Sequence, residues 1–269
     1  MDTSIERVLG STGLKVFPLG LSTTYWPGKK TVYKAIDEGV NLFFGFGFDH
    51  QMFSVLRDVM KTNRQKFVLV TGAYNYLFGY QNLRKTLERR LRQFQSDYID
   101  AFLFLGVTRK NEFPEKAREE LVRLREEGKI RAIGMSCHDR TFAGTLAANG
   151  ALDVFMIRYN AAHRGAERDI FPYLAQHNPG IISYTATRWS YLLRRPKGWP
   201  KGSRIPTAGE CYRFVLSNPN VHVCLTAPWN QRQLQENIDA VRKGPLSEDD
   251  FYFMKEFGDA VYHQNKWFM

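Results

Sequence analysis

Apolar runs rich in Val, Ile, Leu and Phe recur along the chain about once every 20–40 residues, the rhythm of short buried strands separated by longer elements. They are Val16–Leu21, Asn41–Phe46, Phe67–Thr71, Ile99–Leu105, Ile130–Met135, Val154–Arg158, Ile181–Thr185 and Val221–Thr226, eight in all. Between them the period changes. Leu83, Leu87, Leu91 and Phe94 fall on one stripe of a helix whose other faces carry Arg84, Lys85, Glu88, Arg89, Arg90 and Arg92. Ala117, Leu121 and Leu124 form a second stripe, ended by Gly128. Leu234, Ile238 and Val241 form a third, ended by Gly244-Pro245. Ser247-Glu248-Asp249-Asp250 reads as an N-cap with acids in the first turn, opening a final extra helix.

Strand–helix alternation predicts a parallel sheet with right-handed crossovers. Eight units in about 250 residues predict an α/β fold closed into a (β/α)8 TIM barrel. The segment from Arg7 to Val16, with Ser11-Thr12-Gly13 at its turn, predicts an N-terminal β-hairpin placed to plug the bottom of the barrel. With no low-complexity tract and no linker, residues 1–269 are expected to form a single domain.

Composition narrows the class. A hydrophobic fraction of 43% with 20 Phe, 13 Tyr and 5 Trp supplies a large core and excludes a wholly disordered chain. No apolar run reaches the roughly 18 residues of a spanning helix. Met1-Asp2-Thr3-Ser4-Ile5-Glu6-Arg7 has no basic or apolar signal-peptide region, so no membrane association is expected. Cys137, Cys211 and Cys224 lie far apart without a C-x-x-C, and the histidines show no H-x-x-x-H. A disulfide framework and a metal site are therefore not expected, and a reducing cytoplasm fits best.

The 38 basic and 27 acidic residues leave a net charge of +11, and six of the excess cations sit in the acid-free stretch Arg188–Arg204. This long loop also carries Trp189, Tyr191 and Trp199. It is either solvated charge or a site for an anion; no nucleic-acid motif accompanies it.

In such barrels chemistry gathers on the loops after the strands. That rule singles out Thr23, Tyr25 and Trp26; Asp49 and His50; Tyr74 and Tyr76; Thr108 and Arg109; Ser136, Cys137 and His138; Arg158, Tyr159 and Asn160; Thr187, Arg188 and Trp189; and Trp229. Each has a structural reading too. Asp49 can cap the helix that follows it, His138 can belong to a helix entry, Arg158 can be an ion-pair partner at the core edge, and Tyr159-Asn160 can be structural.

Arg7-Val8-Leu9-Gly10-Ser11-Thr12-Gly13-Leu14-Lys15-Val16 followed by Leu19-Gly20-Leu21, then Gly39-Val40-Asn41-Leu42-Phe43, Asp97-Tyr98-Ile99-Asp100, Gly128-Lys129-Ile130-Arg131-Ala132-Ile133-Gly134-Met135-Ser136, Tyr159-Asn160 and Gln233-Leu234-Gln235-Glu236-Asn237 occur in this order. Together they resemble the aldo-keto reductase superfamily along nearly the whole chain. The resemblance implies an NADPH-dependent carbonyl reductase, in which a tyrosine gives the proton, a lysine and an aspartate tune it, and a histidine orients the carbonyl. A free tyrosine titrates near 10 and needs such neighbours.

The catalytic positions depart from that pattern. Phe44 stands where the aspartate belongs in Phe44-Gly45-Phe46-Gly47-Phe48-Asp49-His50, and Asp49 where the tyrosine belongs. Gly72 replaces the lysine and Leu105 the histidine. The cofactor residues are half kept. Ser136 matches the serine of the carboxamide-holding pair, but Cys137 replaces its asparagine and Met156 the glutamine. Tyr184 matches the ring that stacks on the nicotinamide, and Glu236 and Asn237 match the adenine contacts. The pyrophosphate loop has become Thr185-Ala186-Thr187-Arg188-Trp189-Ser190, and Trp229 stands in the place of an arginine.

Three functions follow. One is a diverged enzyme whose altered mouth acts on a small anionic ligand, with Asp49, His50, Tyr25 and His138 as candidate catalytic groups and Tyr74, Arg158, Arg188 and Trp229 binding substrate; Arg194 and Arg195 would help Arg188. A second keeps NADP(H), held by Thr23, Ser136, Tyr184, Glu236 and Asn237, and takes its proton from His50, His138 or Tyr25. A third is a non-catalytic nucleotide-binding or regulatory protein. Standard carbonyl reduction is not expected.

Overall fold

The computed structural model of the chain describes residues 5–46, 49–76, 79, 80 and 82–264, with only the backbone at 75, 76, 79 and 80. A short antiparallel hairpin, β1 (Arg7–Val8) and β2 (Lys15–Val16), precedes the barrel. The barrel strands are β3 (Leu19–Ser22), β4 (Leu42–Phe44), β5 (Val68–Tyr76), β7 (Ile99–Val107), β8 (Ile130–Cys137), β9 (Val154–Arg158), β10 (Gly180–Tyr184) and β11 (Val223–Thr226). All eight pair in parallel, and the β11–β3 and β4–β5 pairings complete the closed ring. Between and after them run α1 (Lys29–Asp37), α2 (His50–Met60), α3 (Leu83–Phe94), α4 (Glu115–Glu126), α5 (Arg140–Ala148), the short α6 (Ala166–Asp169), α7 (Ala208–Leu216), α8 (Gln231–Arg242) and the extra α9 (Glu248–Gln264).

The expected barrel, hairpin and C-terminal helix are all present, with two boundary corrections. Val16 ends the hairpin and does not open the first barrel strand, which begins at Leu19. The third barrel strand does not stop at Thr71 but runs to Tyr76, and its end pairs back with β6 (Gly79–Tyr80). The extension Ala73-Tyr74-Asn75-Tyr76 contains two aromatic residues of high strand propensity.

Alternation along the strands sorts the core into two shells. Leu42, Phe44, Val68, Val70, Ala101, Leu103, Leu105, Ala132, Val154, Met156, Ile182, Val223 and Leu225 fill the barrel interior together with Leu9 and Val16. The other parity faces the helices in a larger cluster. Leu9 is the plug: a Cβ added at Gly180 would come within 2.6 Å of its side chain, and one added at Gly10 within 2.3 Å of the Gly180 nitrogen. Glycine is needed at both contacts because the hairpin backbone presses directly on the barrel floor.

The helix ends carry the expected caps. Gly128 (φ 73°) and Gly244 (φ 76°) sit in the left-handed conformation just past α4 and α8. The Ser247 side chain accepts from the Asp250 amide at 3.2 Å at the start of α9. Among the described residues no helix is long and apolar enough to cross a membrane. The three cysteines are buried and free.

Candidate functional site

The interior parity carries straight up to the C-terminal mouth. Phe44, Phe46, Tyr74 and Leu105 end one side of it. Ser136, Arg158 and Tyr184, two residues beyond Gly134, Met156 and Ile182, end the other. The two sides differ in chemistry.

On the first side the rings are in contact: Phe44 lies 5.1 Å from Phe46, and Phe46 meets Tyr74 edge-on at 5.7 Å. Phe44 and Leu105 are buried. A Cβ at Gly72 would fall 2.1 Å from the Leu103 carbonyl oxygen and 2.8 Å from the Leu105 side chain, so no side chain fits there without a backbone shift. Three of the four positions that resemble the reductase tetrad are thus apolar or bare. The fourth, Asp49, is buried at the start of α2, where its Oδ1 accepts from the amides of Gln51 (2.9 Å) and Met52 (3.3 Å). It is an N-cap. Its Oδ2 is buried with no hydrogen-bond partner among the described residues. Neighbouring His50 is exposed. Gly47, Phe48 and the side chain of Tyr76 lie outside the described residues.

The second side is cationic. Arg158 is half-buried, and burial lowers its pKa; the nearby Arg140 and Arg188 act in the same direction, and the phenols of Tyr184 and Tyr262 against it. His138 enters from the end of β8, its Nε2 3.5 Å from the Tyr184 hydroxyl and its ring edge-on to the Tyr184 ring at 6.2 Å. Its Nδ1 is buried without a partner among the described residues. Burial first, and then Arg158, push its pKa down, while Glu112 pulls it up. His163, just below, is pushed down to about 3 by burial and by Arg158, Arg188 and Arg140. Tyr184 is driven upward, chiefly by burial, with Tyr74 across the mouth among the groups that add to the shift. Two neutral histidines therefore sit in one strongly positive field.

The remaining candidates are scattered. Tyr25 stacks on Trp229 (4.8 Å between centroids, 19° between planes), linking the loops after β3 and β11, and Trp229 remains 64% exposed. The Thr23 hydroxyl donates to the Phe46 carbonyl at 3.3 Å. Glu236 is exposed, 3.7 Å from Arg232. Asn237 is buried and donates to Thr226, whose hydroxyl lies 3.0 Å from that of Tyr212. Tyr159 is fully buried and donates to Glu167 at 2.7 Å.

Arg188 is not at the surface of the basic loop. Its side chain is 0% exposed and donates to the Val261 carbonyl in α9 at 2.8 Å. Thr185, Arg188, Trp189 and Ser190 all have positive φ, between 48° and 68°, a rare run for residues other than glycine. Asn160 donates to the Thr185 carbonyl at 2.9 Å, and the inward pull of Arg188 holds the rest. Farther along, Arg195 closes the loop on the carbonyls of Pro200 and Ser203. Trp199 packs on Phe257 at 4.9 Å, and Arg204 pairs with Asp250 at 2.8 Å. The stretch is stapled to α9, which corrects the reading of a floppy solvated segment. Sequence reasoning missed this because no local pattern marks a left-handed run at Thr, Arg and Trp. It also missed His163, held in a tight turn closed by the Asn160 side chain, which accepts from the His163 amide at 3.0 Å.

These residues do not fit a nicotinamide dinucleotide held in the way the resemblance implies. Cys137 packs in the outer shell, with its thiol on the Asp139 carbonyl. Arg158 stands beside the Tyr184 ring, Arg188 faces inward, Trp229 is stacked, and Asn237 is engaged in the core. Ser136, Tyr184 and Glu236 remain. No cluster of three or more His, Cys, Asp or Glu that could hold a metal ion occurs among the described residues.

A family model described as "Aldo/keto reductase family" matches residues 29–198. An aldo-keto reductase of Bacillus subtilis is 27% identical over 201 residues, 65% of this chain and 60% of that protein. A methylglyoxal reductase of Escherichia coli is 25% identical over 177 residues, 62% of this chain and 61% of that protein. The matched part spans about three-fifths of the length of these two relatives. Among solved structures, the holo form of an aldo-keto reductase from Bacillus halodurans superposes with a TM-score of 0.77 at 19% identity, covering 95% of this chain and 96% of that one. An aldo/keto reductase from Klebsiella pneumoniae in complex with NADP and acetate gives 0.74 at 22%, covering 94% and 95%.

Proposed function

The chain belongs to the aldo/keto reductase family, and from that premise we propose that it has exchanged hydride transfer for the binding and turnover of a small organic anion at the barrel mouth. The observation that carries this reading is Arg158, held half-buried at the inward-facing end of β9 amid further positive charge. A guanidinium so placed suits a carboxylate. The opposite wall of Phe44, Phe46, Tyr74 and Leu105 suits an apolar or aromatic body. The ligand class is therefore an amphipathic monocarboxylate, with its charge at Arg158 and its ring or chain against the phenylalanines.

His138 and Tyr184 stand beside that anion as the groups able to give or take a proton. Tyr74 faces the ligand from the apolar side, and Tyr25 with Trp229 forms an aromatic lip. Asp49, through its cap, positions α2, and Arg188 positions the loop. NADP(H) has no step in this reading, because most of the contacts it would need, Ser136, Tyr184 and Glu236 excepted, are replaced or otherwise engaged. The test is a thermal-shift screen of small carboxylates against their neutral amides, run beside a fluorescence titration with NADPH. Stabilisation by carboxylates alone is expected. Tight NADPH binding with reduction of an aldehyde would instead establish hydride chemistry with a proton from His138, His50 or Tyr25.

A further inference from the structure

Tryptophan is highly buried on average in folded proteins, yet three tryptophans of this chain stand out from its surface. Trp26 is 67% exposed, Trp229 64% and Trp189 59%. They lie on the loops after β3, β11 and β10, which are consecutive strands of the ring, so the three share one arc of the C-terminal rim. Trp199, by contrast, packs inward on Phe257. The exposed positions are held in place. Trp26 (φ 46°) and Trp189 (φ 53°) have left-handed backbone, which is rare for bulky residues. The Trp26 amide donates to the Thr23 carbonyl at 3.1 Å, and Tyr25 stacks on Trp229. The Gln231 side chain donates to the Lys30 carbonyl at 3.0 Å, which ties the loop after β11 to the start of α1.

The same arc is one-sided in charge. Residues 19–36, 181–209 and 221–235 contain no Asp or Glu. Lys29, Lys30, Arg194, Lys197 and Lys201 in these stretches are exposed, while Arg188 and Arg204 are turned to α9.

We propose that this arc is an interaction surface for an anionic lipid bilayer. Tryptophan rings favour the headgroup layer of a membrane, and Lys and Arg beside them are drawn to acidic headgroups. A protein that lies on a bilayer in this way needs neither a spanning helix nor a leader, so the absence of those signs in the sequence does not bear on it. The rings and cations are spread over three loops around a mouth rather than along a groove that could track a phosphate backbone, which favours a bilayer over a single-stranded nucleic acid. With the arc on the lipid, the barrel mouth opens toward the bilayer. The inference is independent of the ligand proposed above.

The experiment sediments the whole chain with vesicles of phosphatidylcholine and phosphatidylglycerol in equal parts, and with vesicles of phosphatidylcholine alone. The expected result is binding to the anionic vesicles, weakened by salt, with a blue shift of tryptophan emission and quenching by lipids brominated on the acyl chain. Trp26→Ala with Trp229→Ala is expected to weaken binding about tenfold. Lys197→Gln with Lys201→Gln is expected to weaken it about fivefold per cation. All four side chains are exposed, and thermal unfolding checks that each variant keeps its fold. Equal binding to both kinds of vesicle, binding to neither at low salt, or binding that either pair of substitutions leaves unchanged overturns the inference. Binding of a single-stranded DNA oligonucleotide without binding of vesicles also overturns it, and makes the arc a nucleic-acid site.

Discussion

The two walls of the barrel mouth have moved in opposite directions from one scaffold. The wall formed by β4, β5 and β7 ends in Phe44, Phe46, Gly72, Tyr74 and Leu105, with rings in contact and, beside them, the Asp49 carboxylate engaged as a helix cap. The wall formed by β8, β9 and β10 ends in Ser136, His138, Arg158 and Tyr184, where burial first and Arg158 second disfavour the charged form of His138 and His163. A proton-donating tyrosine of the kind the family uses needs charged neighbours to work near neutral pH, and among the described residues the first wall offers only Asp49, already committed to the cap of α2. The second wall offers charge, but of a kind that attracts an anion. The comparison teaches that the side chains at the strand ends can change character while the barrel stays the same. The strands fix where side chains end, and the residue at each end fixes the chemistry.

The contrast can be attacked from the apolar wall first, where the largest effect is expected. Asp49→Tyr with Gly72→Lys restores two tetrad residues on paper. It also removes an N-cap, for about 1 kcal/mol, and forces a side chain into occupied space, for about 1–3 kcal/mol. Chemical denaturation is expected to show a loss of about 2–4 kcal/mol, with no aldehyde reduction by NADPH. A stable, active double variant would show that the apolar wall is still close to a reductase.

The cationic wall is tested next through Arg188, which is buried and bonded to the Val261 carbonyl of α9. Arg188→Ala removes a charged donor from the Val261 carbonyl and is expected to cost about 2 kcal/mol of stability, with benzoate affinity changed less than about threefold, since no direct ligand contact is lost. A large loss of affinity at unchanged stability would move Arg188 into the binding site.

Two buried histidines, one beside this wall and one at the barrel floor, predict an acid-side loss of stability. The folded pKa of His163 is depressed to about 3, and that of His222, buried near Arg7, to about 4. Both titrate near 6.5 when unfolded. Below that value the unfolded chain binds protons that the folded chain refuses, so stability is full above about 6.5 and falls as pH drops toward the folded values. Each histidine contributes at most about 1.4 kcal/mol per pH unit. Denaturation at pH 7 and pH 5 is expected to differ by about 1–3 kcal/mol, with part of the difference removed in His163→Asn. A flat profile would mean that the two imidazoles are less buried in solution than the structure shows.

Much of the contrast is legible in the sequence, because period-two alternation decides which residues reach the mouth. Phe44, Gly72, Leu105, Arg158 and Tyr184 are all placed by counting along strands. Asp49 reads as a cap from its position before α2 alone. What the sequence hides is set by distant contacts. The inward turn of Arg188 depends on α9, the engagement of Asn237 on Thr226, and the meeting of His138 with Tyr184 on the packing of two strand ends that are 46 residues apart. The surplus of charge in Arg188–Arg204 suggests a ligand, but Arg188, Arg195 and Arg204 are engaged by the Val261 carbonyl, the loop's own carbonyls and the carboxylates of Glu210 and Asp250. Charge in a loop reports function only after its internal partners are subtracted.

The most direct test of a mouth rebuilt around an anion is the heat of benzoate binding to wild type and to Arg158→Met, with benzamide as the neutral control. The account predicts binding of benzoate and none of benzamide by wild type, and a loss of at least about thirtyfold in the variant, or roughly 2 kcal/mol. Equal binding of benzoate by both proteins, or of benzamide as well as benzoate by wild type, would contradict it.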